Sequence, residues 1–123
     1  MAQADCRPAV LIVEDEPLIR MNAVDFAEDA GLRAIEASNA DEALAQLDQN
    51  DDISILFTDV DMPGSMNGFQ LAEVVAQNWP PIGIIIVSGY RRATSGDLPE
   101  GGVFFPKPYD IEKVTAALKR IAE

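Results

Sequence analysis

No histidine occurs anywhere in the 123 residues. Its absence excludes serine–histidine–aspartate and cysteine–histidine catalysis, imidazole metal sites, and any step carried on an imidazole of this chain. The single cysteine, Cys6, has no partner for an intrachain disulfide, which fits a reducing compartment. No apolar run approaches the roughly 20 residues that span a bilayer. The opening Met-Ala-Gln-Ala-Asp lacks the basic and apolar regions of a signal peptide. Neither a repeat nor a low-complexity segment is present. These absences lead us to expect a cytoplasmic protein with no membrane contact.

Basic residues are scarce, and unevenly so. The formal net charge is −12. Residues 1–61 hold 15 acids against 3 bases, whereas residues 62–123 hold 6 of each, so the whole surplus lies in the first half. A chain this acidic is repelled by nucleic acid and anionic lipid, so neither is expected as a partner. The second half, with Arg91, Arg92, Lys113, Lys119 and Arg120, is the better docking side for an acidic protein.

What is present is a regular alternation of strand and helix signals. Ala9–Val13 is a short β-branched run suited to a strand buried on both faces. Pro17 suits a first helical turn, Ile19, Ala23, Phe26, Ala27 and Ala30 repeat at helical spacing, and Gly31 is a stop. Arg33–Ala37 reads as a second strand, and Asn39 as the cap of a second helix with Asp41 and Glu42 in its first turn. Ile53–Thr58 is a third strand, Phe69–Asn78 a third helix broken by Pro80-Pro81, Ile82–Val87 a fourth strand and Val103–Phe105 a fifth. Asp110 is placed to cap a last helix with Ile111, Val114, Leu118 and Ile121 as its apolar stripe. Tyr90–Gly102 should hold a further helix, but Gly96, Pro99, Gly101 and Gly102 predict a short or irregular one. This alternation predicts a three-layer α/β/α sandwich around a five-stranded parallel sheet, as one domain with its core over about residues 8–122.

In such sheets ligands bind beyond the carboxyl ends of the strands. Glu14, Asp15 and Glu16 follow the first strand, Asp59 and Asp61 the third, Ser88 the fourth, and Lys107 the fifth. Clustered carboxylates raise one another's pKa unless a cation intervenes, and Mg²⁺ takes one or two carboxylates while keeping positions open for phosphate oxygens. A hydroxyl and an ammonium aimed at the same point suit the remaining oxygens of a phosphoryl group.

Glu14-Asp15, Asp59 in Phe-Thr-Asp-Val-Asp-Met-Pro-Gly, Ser88-Gly89 and Lys107-Pro108-Tyr109 occur in this order, each behind its own strand. On these residues the chain resembles, from Val10 to Ile121, the receiver domain of bacterial two-component response regulators. The resemblance implies a flavodoxin-like strand order 2-1-3-4-5. It implies Asp59 as phosphoryl acceptor, with Asp15, Asp59 and the Asp61 carbonyl on Mg²⁺ or Mn²⁺ and Glu14 behind a water. Ser88 and Lys107 would bind phosphoryl oxygens, Ser88 and Phe104 would switch, and the Lys107–Pro108 peptide would be cis. The donor would be a sensor histidine kinase or histidine phosphotransfer protein, and the output altered binding to a downstream protein. The chain would catalyse only its own phosphorylation and dephosphorylation. No output domain is expected after the last helix, and a monomer is expected, with a dimer as the alternative.

The pattern departs from the family in four places. The Asp59–Gly68 loop is one residue longer, with Asn67 where aspartate is common. Glu14 stands for a frequent aspartate, Gly89 for a usual alanine, and the Ser88–Lys107 segment is short. Asp61 and Tyr90, each two residues past a site residue, would tune water access to the phosphorylated acceptor. Other functions remain open on sequence: a phosphate sink in a relay, or a module that is never phosphorylated. Asp59-Val60-Asp61 also matches the D-x-D pair of aspartate-nucleophile phosphatases of the haloacid dehalogenase type, but there the pair follows the first strand.

Overall fold

The β-branched run at the start of the chain becomes the second strand of a parallel sheet. The computed structural model describes residues 7–89, 98–99 and 101–122. In it β1 (Ala9–Val13) pairs with β2 (Arg33–Ala37) on one side and β3 (Ile53–Asp59) on the other. β4 (Gly83–Ser88) and β5 (Val103–Pro106) complete the sheet, in the order β2-β1-β3-β4-β5, all parallel. The order reverses between β1 and β3, so the crevice of this fold opens at their carboxyl ends.

Local chemistry fixes where the helices begin. Pro17 opens α1 (Pro17–Asp29), and Gly31, at φ 89°, supplies the left-handed turn that ends it. Asn39 caps α2 (Ala40–Gln49) by accepting from the Glu42 amide. Asn67 caps α3 (Gly68–Asn78) in a full capping box, its side chain accepting from the Gln70 amide while Gln70 accepts from the Asn67 amide. The Asp110 carboxylate accepts from the Glu112 amide at the start of α4 (Ile111–Ala122). Trp79 closes α3, its amide donating to the Val75 carbonyl, and its half-buried ring packs on the layer beneath.

Strand alternation divides the core into two layers. Leu11, Val13, Leu56, Ile84 and Ile86 face α2 and α3, meeting Ala43, Leu47, Leu71, Ala72 and Val75. Val10, Ile12, Ile55, Phe57, Ile85 and Val87 face α1 and α4, meeting Ala23, Phe26, Ala27, Val114 and Leu118. Each fully buried Leu or Ile is worth about 1.5–3 kcal/mol over its exposed state, so the two layers, more than helix propensity, hold the sandwich together.

The structure corrects the expected pattern at several points. Ile19 and Ile111, counted as core from their spacing, are 39% and 53% exposed. Both lie in the first turns of their helices and line the open cleft at the carboxyl ends of the strands. Ala30 is the half-buried cap of α1, not a core residue. β4 begins at Gly83, because the Ile82 amide is used in a turn to the Trp79 carbonyl, and it runs on through Ser88, which pairs with Pro106. α3 starts one residue early, at Gly68. The expected helix over Tyr90–Gly102 lies mostly outside the described residues, as do Arg91 and Arg92. Of that stretch, the Gly102 amide donates to the Pro99 carbonyl. Four helices are present among the described residues.

Candidate functional site

Ladder hydrogen bonds continue past the strands and hold the loops that carry the polar residues. The Glu14 amide donates to the Ala37 carbonyl at 3.0 Å, the Val60 amide to Val87 at 3.0 Å, and the Lys107 amide to Ser88 at 2.8 Å. Three separate loops are thereby fixed to neighbouring strands before any ligand arrives. The Lys107–Pro108 peptide is cis, as expected.

These loops bring Glu14, Asp15, Asp59, Asp61 and Lys107 to one open cleft of about 730 Å³. Its far wall is apolar, made by Ile19, Phe26, Pro108, Tyr109 and Ile111. Tyr109 meets Phe26 and Phe57 edge-on, with ring centroids 6.1 and 6.2 Å away. Burial pushes the Tyr109 hydroxyl up, so it stays neutral beside the acids.

Lys107 Nζ lies 3.3 Å from Glu14 Oε1 and 3.3 Å from Asp59 Oδ2. One ammonium thus serves two buried carboxylates. Burial and the neighbouring Asp59 charge raise the Glu14 pKa, against a hydrogen bond from the Glu16 amide. Burial raises that of Asp59, and Lys107 offsets only part of the shift. Burial alone would lower the Lys107 pKa, but its two carboxylate partners outweigh it and the net shift is upward. Asp59 Oδ1 is buried and has no hydrogen-bond partner. Oxygens of Glu14, Asp15 and Asp59 lie within 4.8 Å of one another. Excess negative charge, an orphaned carboxylate oxygen and an all-oxygen donor set together fit a hard divalent cation.

The other expected site residues are placed less directly. Ser88, the last residue of β4, is buried and its hydroxyl donates to Asp61 Oδ2 at 3.0 Å. Asp61 lines the cleft but is not one of the three clustered carboxylates. Phe104 is half-buried and stacks on Phe69 of α3, centroids 6.4 Å apart at 22°. Tyr90 lies outside the described residues.

Two contributors escaped the sequence reading. Arg20, one turn into α1, donates from Nη1 to the Glu14 carbonyl at 2.8 Å and from Nε to Glu36 at 3.1 Å. It thereby pins the acidic turn to the neighbouring strand. Gly68 presses against the loop after Asp59: its amide donates to the Val60 carbonyl, and a Cβ there would fall 2.2 Å from the Asp59 carbonyl oxygen. A helical arginine near an acidic turn was a usable signal for the first. Contact between residues 59 and 68 was not readable from spacing.

Comparison with known proteins agrees with this geometry. The family profile of the response regulator receiver domain matches residues 10–119. Sensor kinase CckA of Brucella abortus is 33% identical over 118 residues, covering 93% of this chain and 12% of the kinase. The DNA-binding transcriptional regulator NtrC of Salmonella typhimurium is 30% identical over 117 residues, covering 93% of this chain and 24% of the regulator. This chain therefore spans a quarter or less of those relatives. The crystal structure of a response regulator receiver protein from Pseudomonas putida superposes with a TM-score of 0.83 at 28% identity, covering 94% of this chain and 98% of that one. The phosphatase alternative loses its basis, since the D-x-D pair follows β3 and the family is one of signalling domains. The chain belongs to the response regulator receiver domain family, the phosphoryl-accepting signalling switches of two-component systems.

Proposed function

We propose that Asp59 is the phosphoryl acceptor and that Glu14, Asp15 and Asp59, with the Asp61 carbonyl, hold the Mg²⁺ (or Mn²⁺) that the reaction needs. The observation that carries this reading is the Asp59 carboxylate itself. One oxygen is paired with Lys107 and the other is buried without a hydrogen-bond partner, in reach of two further acids. With no histidine in these 123 residues, the phosphoryl group comes from outside them: from a histidine kinase, a histidine phosphotransfer protein or a small acyl phosphate.

An Asp59 oxygen attacks phosphorus in line, the new O–P bond forms as the P–N bond of a phosphohistidine protonated on its other ring nitrogen breaks, and a neutral imidazole leaves. A cation held by Glu14, Asp15 and Asp59 would supply positive charge for the phosphoryl oxygens. Lys107 and Ser88 hold the other oxygens, and the pinned loops hold the acceptor in place, so the protein's contribution is positioning and charge. Hydrolysis of the acyl phosphate resets the switch, and this self-directed chemistry is the only catalysis we assign. Movement of Ser88 and Phe104 carries the signal, as a population shift, to the surface around β5 and α4, where a downstream protein binds. We place the reaction in the cytoplasm and treat residues 8–122 as the switching unit.

The test is intact mass after incubation with Mg²⁺ and acetyl phosphate. A gain of about 80 Da, one HPO₃, that requires Mg²⁺ and disappears in Asp59→Asn is expected. An adduct that persists in Asp59→Asn would reassign the acceptor.

A further inference from the structure

Ser88 has one hydroxyl proton, and in this structure it is directed to Asp61 Oδ2 at 3.0 Å. The buried Asp59 Oδ1 on the same sheet edge has no hydrogen-bond partner. The proton that would bind a phosphoryl group is therefore engaged elsewhere, by a carboxylate two residues beyond the acceptor. Ser88 itself is buried, with 1% of its surface exposed, so water does not compete freely for its hydroxyl. A hydrogen bond from a hydroxyl to a charged carboxylate is among the stronger ones a serine makes.

We propose that the Asp61 side chain is a positioning residue that holds the Ser88 hydroxyl off Asp59 in the unphosphorylated protein. Phosphorylation must break this bond before Ser88 can close on the phosphoryl group. This role is distinct from that of the Asp61 backbone carbonyl, and it rests on the assignment of Asp59 and Ser88 made above. It sets the balance between the open and closed states through one exchange of acceptor, from a carboxylate oxygen of Asp61 to an oxygen of the phosphoryl group.

A second effect of Asp61 has to be separated from this one. Its negative charge bears on Asp59 and would repel any anion entering the cleft, whether or not Ser88 is involved. Asp61→Asn removes the charge but keeps an oxygen that can accept from Ser88. Asp61→Ala removes both. Combining each with Ser88→Ala closes a double-mutant cycle that isolates the Asp61–Ser88 coupling.

The probe is beryllium trifluoride, a tetrahedral phosphoryl mimic on aspartate, titrated at saturating Mg²⁺ and followed by amide NMR. Mg²⁺ affinity is measured separately for each variant. Asp61→Ala is expected to tighten beryllium trifluoride binding about tenfold, the magnitude of one charge-assisted hydrogen bond released. Asp61→Asn should tighten it less, and in the Ser88→Ala background the two substitutions should act alike, leaving only the smaller effect of the lost charge. Equal tightening by both, undiminished by Ser88→Ala, would overturn the proposal in favour of charge repulsion alone. Normal wild-type binding with no response to Asp61→Ala would also overturn it and leave the Asp59 assignment standing. Failure of every form, wild type included, to bind the probe or take up phosphoryl from acetyl phosphate would overturn both.

Discussion

At the middle of the sheet, Leu11, Ile55, Leu56, Ile85 and Ile86 are fully enclosed, and all are apolar. At the carboxyl ends of the same strands lie Glu14, Thr58, Asp59 and Ser88, enclosed almost as completely and all polar. No other buried polar or charged side chain occurs among the described residues. Burial stabilises the first group and opposes the charge of the second. The raised pKa values of Glu14 and Asp59 record that opposition directly, since burial is the leading cause of both. A few residues of strand length separate a region optimised for stability from one where stability is given up for concentrated charge, as the proposed function requires.

Substitutions should separate the two regions. The largest stability effect is expected in the middle. Leu56→Ala should lose about 3 kcal/mol in urea denaturation, the transfer and cavity cost of a buried leucine. A loss below about 1 kcal/mol would mean that the layer collapses around the gap. Gly68→Ala attacks the boundary between the regions. Its Cβ cannot be accommodated against the Asp59 backbone without a shift, so we expect about 2 kcal/mol of destabilisation together with slower uptake of phosphoryl by mass spectrometry. Destabilisation without slower uptake would show that the loop relaxes away from Asp59.

At the polar edge the sign reverses. Asp59→Asn should be more stable than the wild type by about 1 kcal/mol at neutral pH in chelator. A carboxyl whose pKa is raised on folding does not oppose folding at pH below its unfolded value, and stability falls as pH rises through the raised value. The advantage of the Asp59→Asn variant over the wild type should therefore vanish in acid, open as pH rises above the ordinary carboxylate range, and narrow again when Mg²⁺ is added. Parallel melting curves at every pH would contradict the burial argument. The smallest effect is expected at Gly89→Ala. The new Cβ would meet Lys107 Cβ at 3.6 Å, an ordinary contact, so the variant should gain about 0.5 kcal/mol through its stiffer unfolded chain and keep its phosphoryl uptake. A loss there would show that the turn needs glycine.

Most of this contrast was legible in the sequence. The strands announced themselves as apolar runs, and Glu14, Asp15, Asp59, Ser88 and Lys107 each stand where such a run ends. The structure brings Glu14, Asp15, Asp59 and Lys107 together. The errors have a common physical origin. Periodicity counts apolar residues along a helix but carries no information on where the cleft opens beside it, so it counts Ile19 and Ile111 into a core that excludes them. Contacts across loops were equally hidden. Neither the Gly68 approach to Asp59 nor the Ser88–Asp61 hydrogen bond follows from local sequence, because each depends on how a loop closes. Asn67 shows the reverse. It looked like a departure from an aspartate, yet as the cap of α3 it needs only an oxygen and no charge.

The position of α3 also makes this protein its own optical instrument. The helix begins with its first residue against the Asp59 carbonyl and ends at Trp79, the only tryptophan in the chain. Eleven residue steps lead from Gly68 to Trp79, about 16 Å at the rise of an α-helix. At that distance an ion in the cleft does not quench indole emission by contact. A fluorescence change on phosphorylation would therefore report a rearrangement around the far end of α3, which makes Trp79 a gauge of conformational response and not of occupancy.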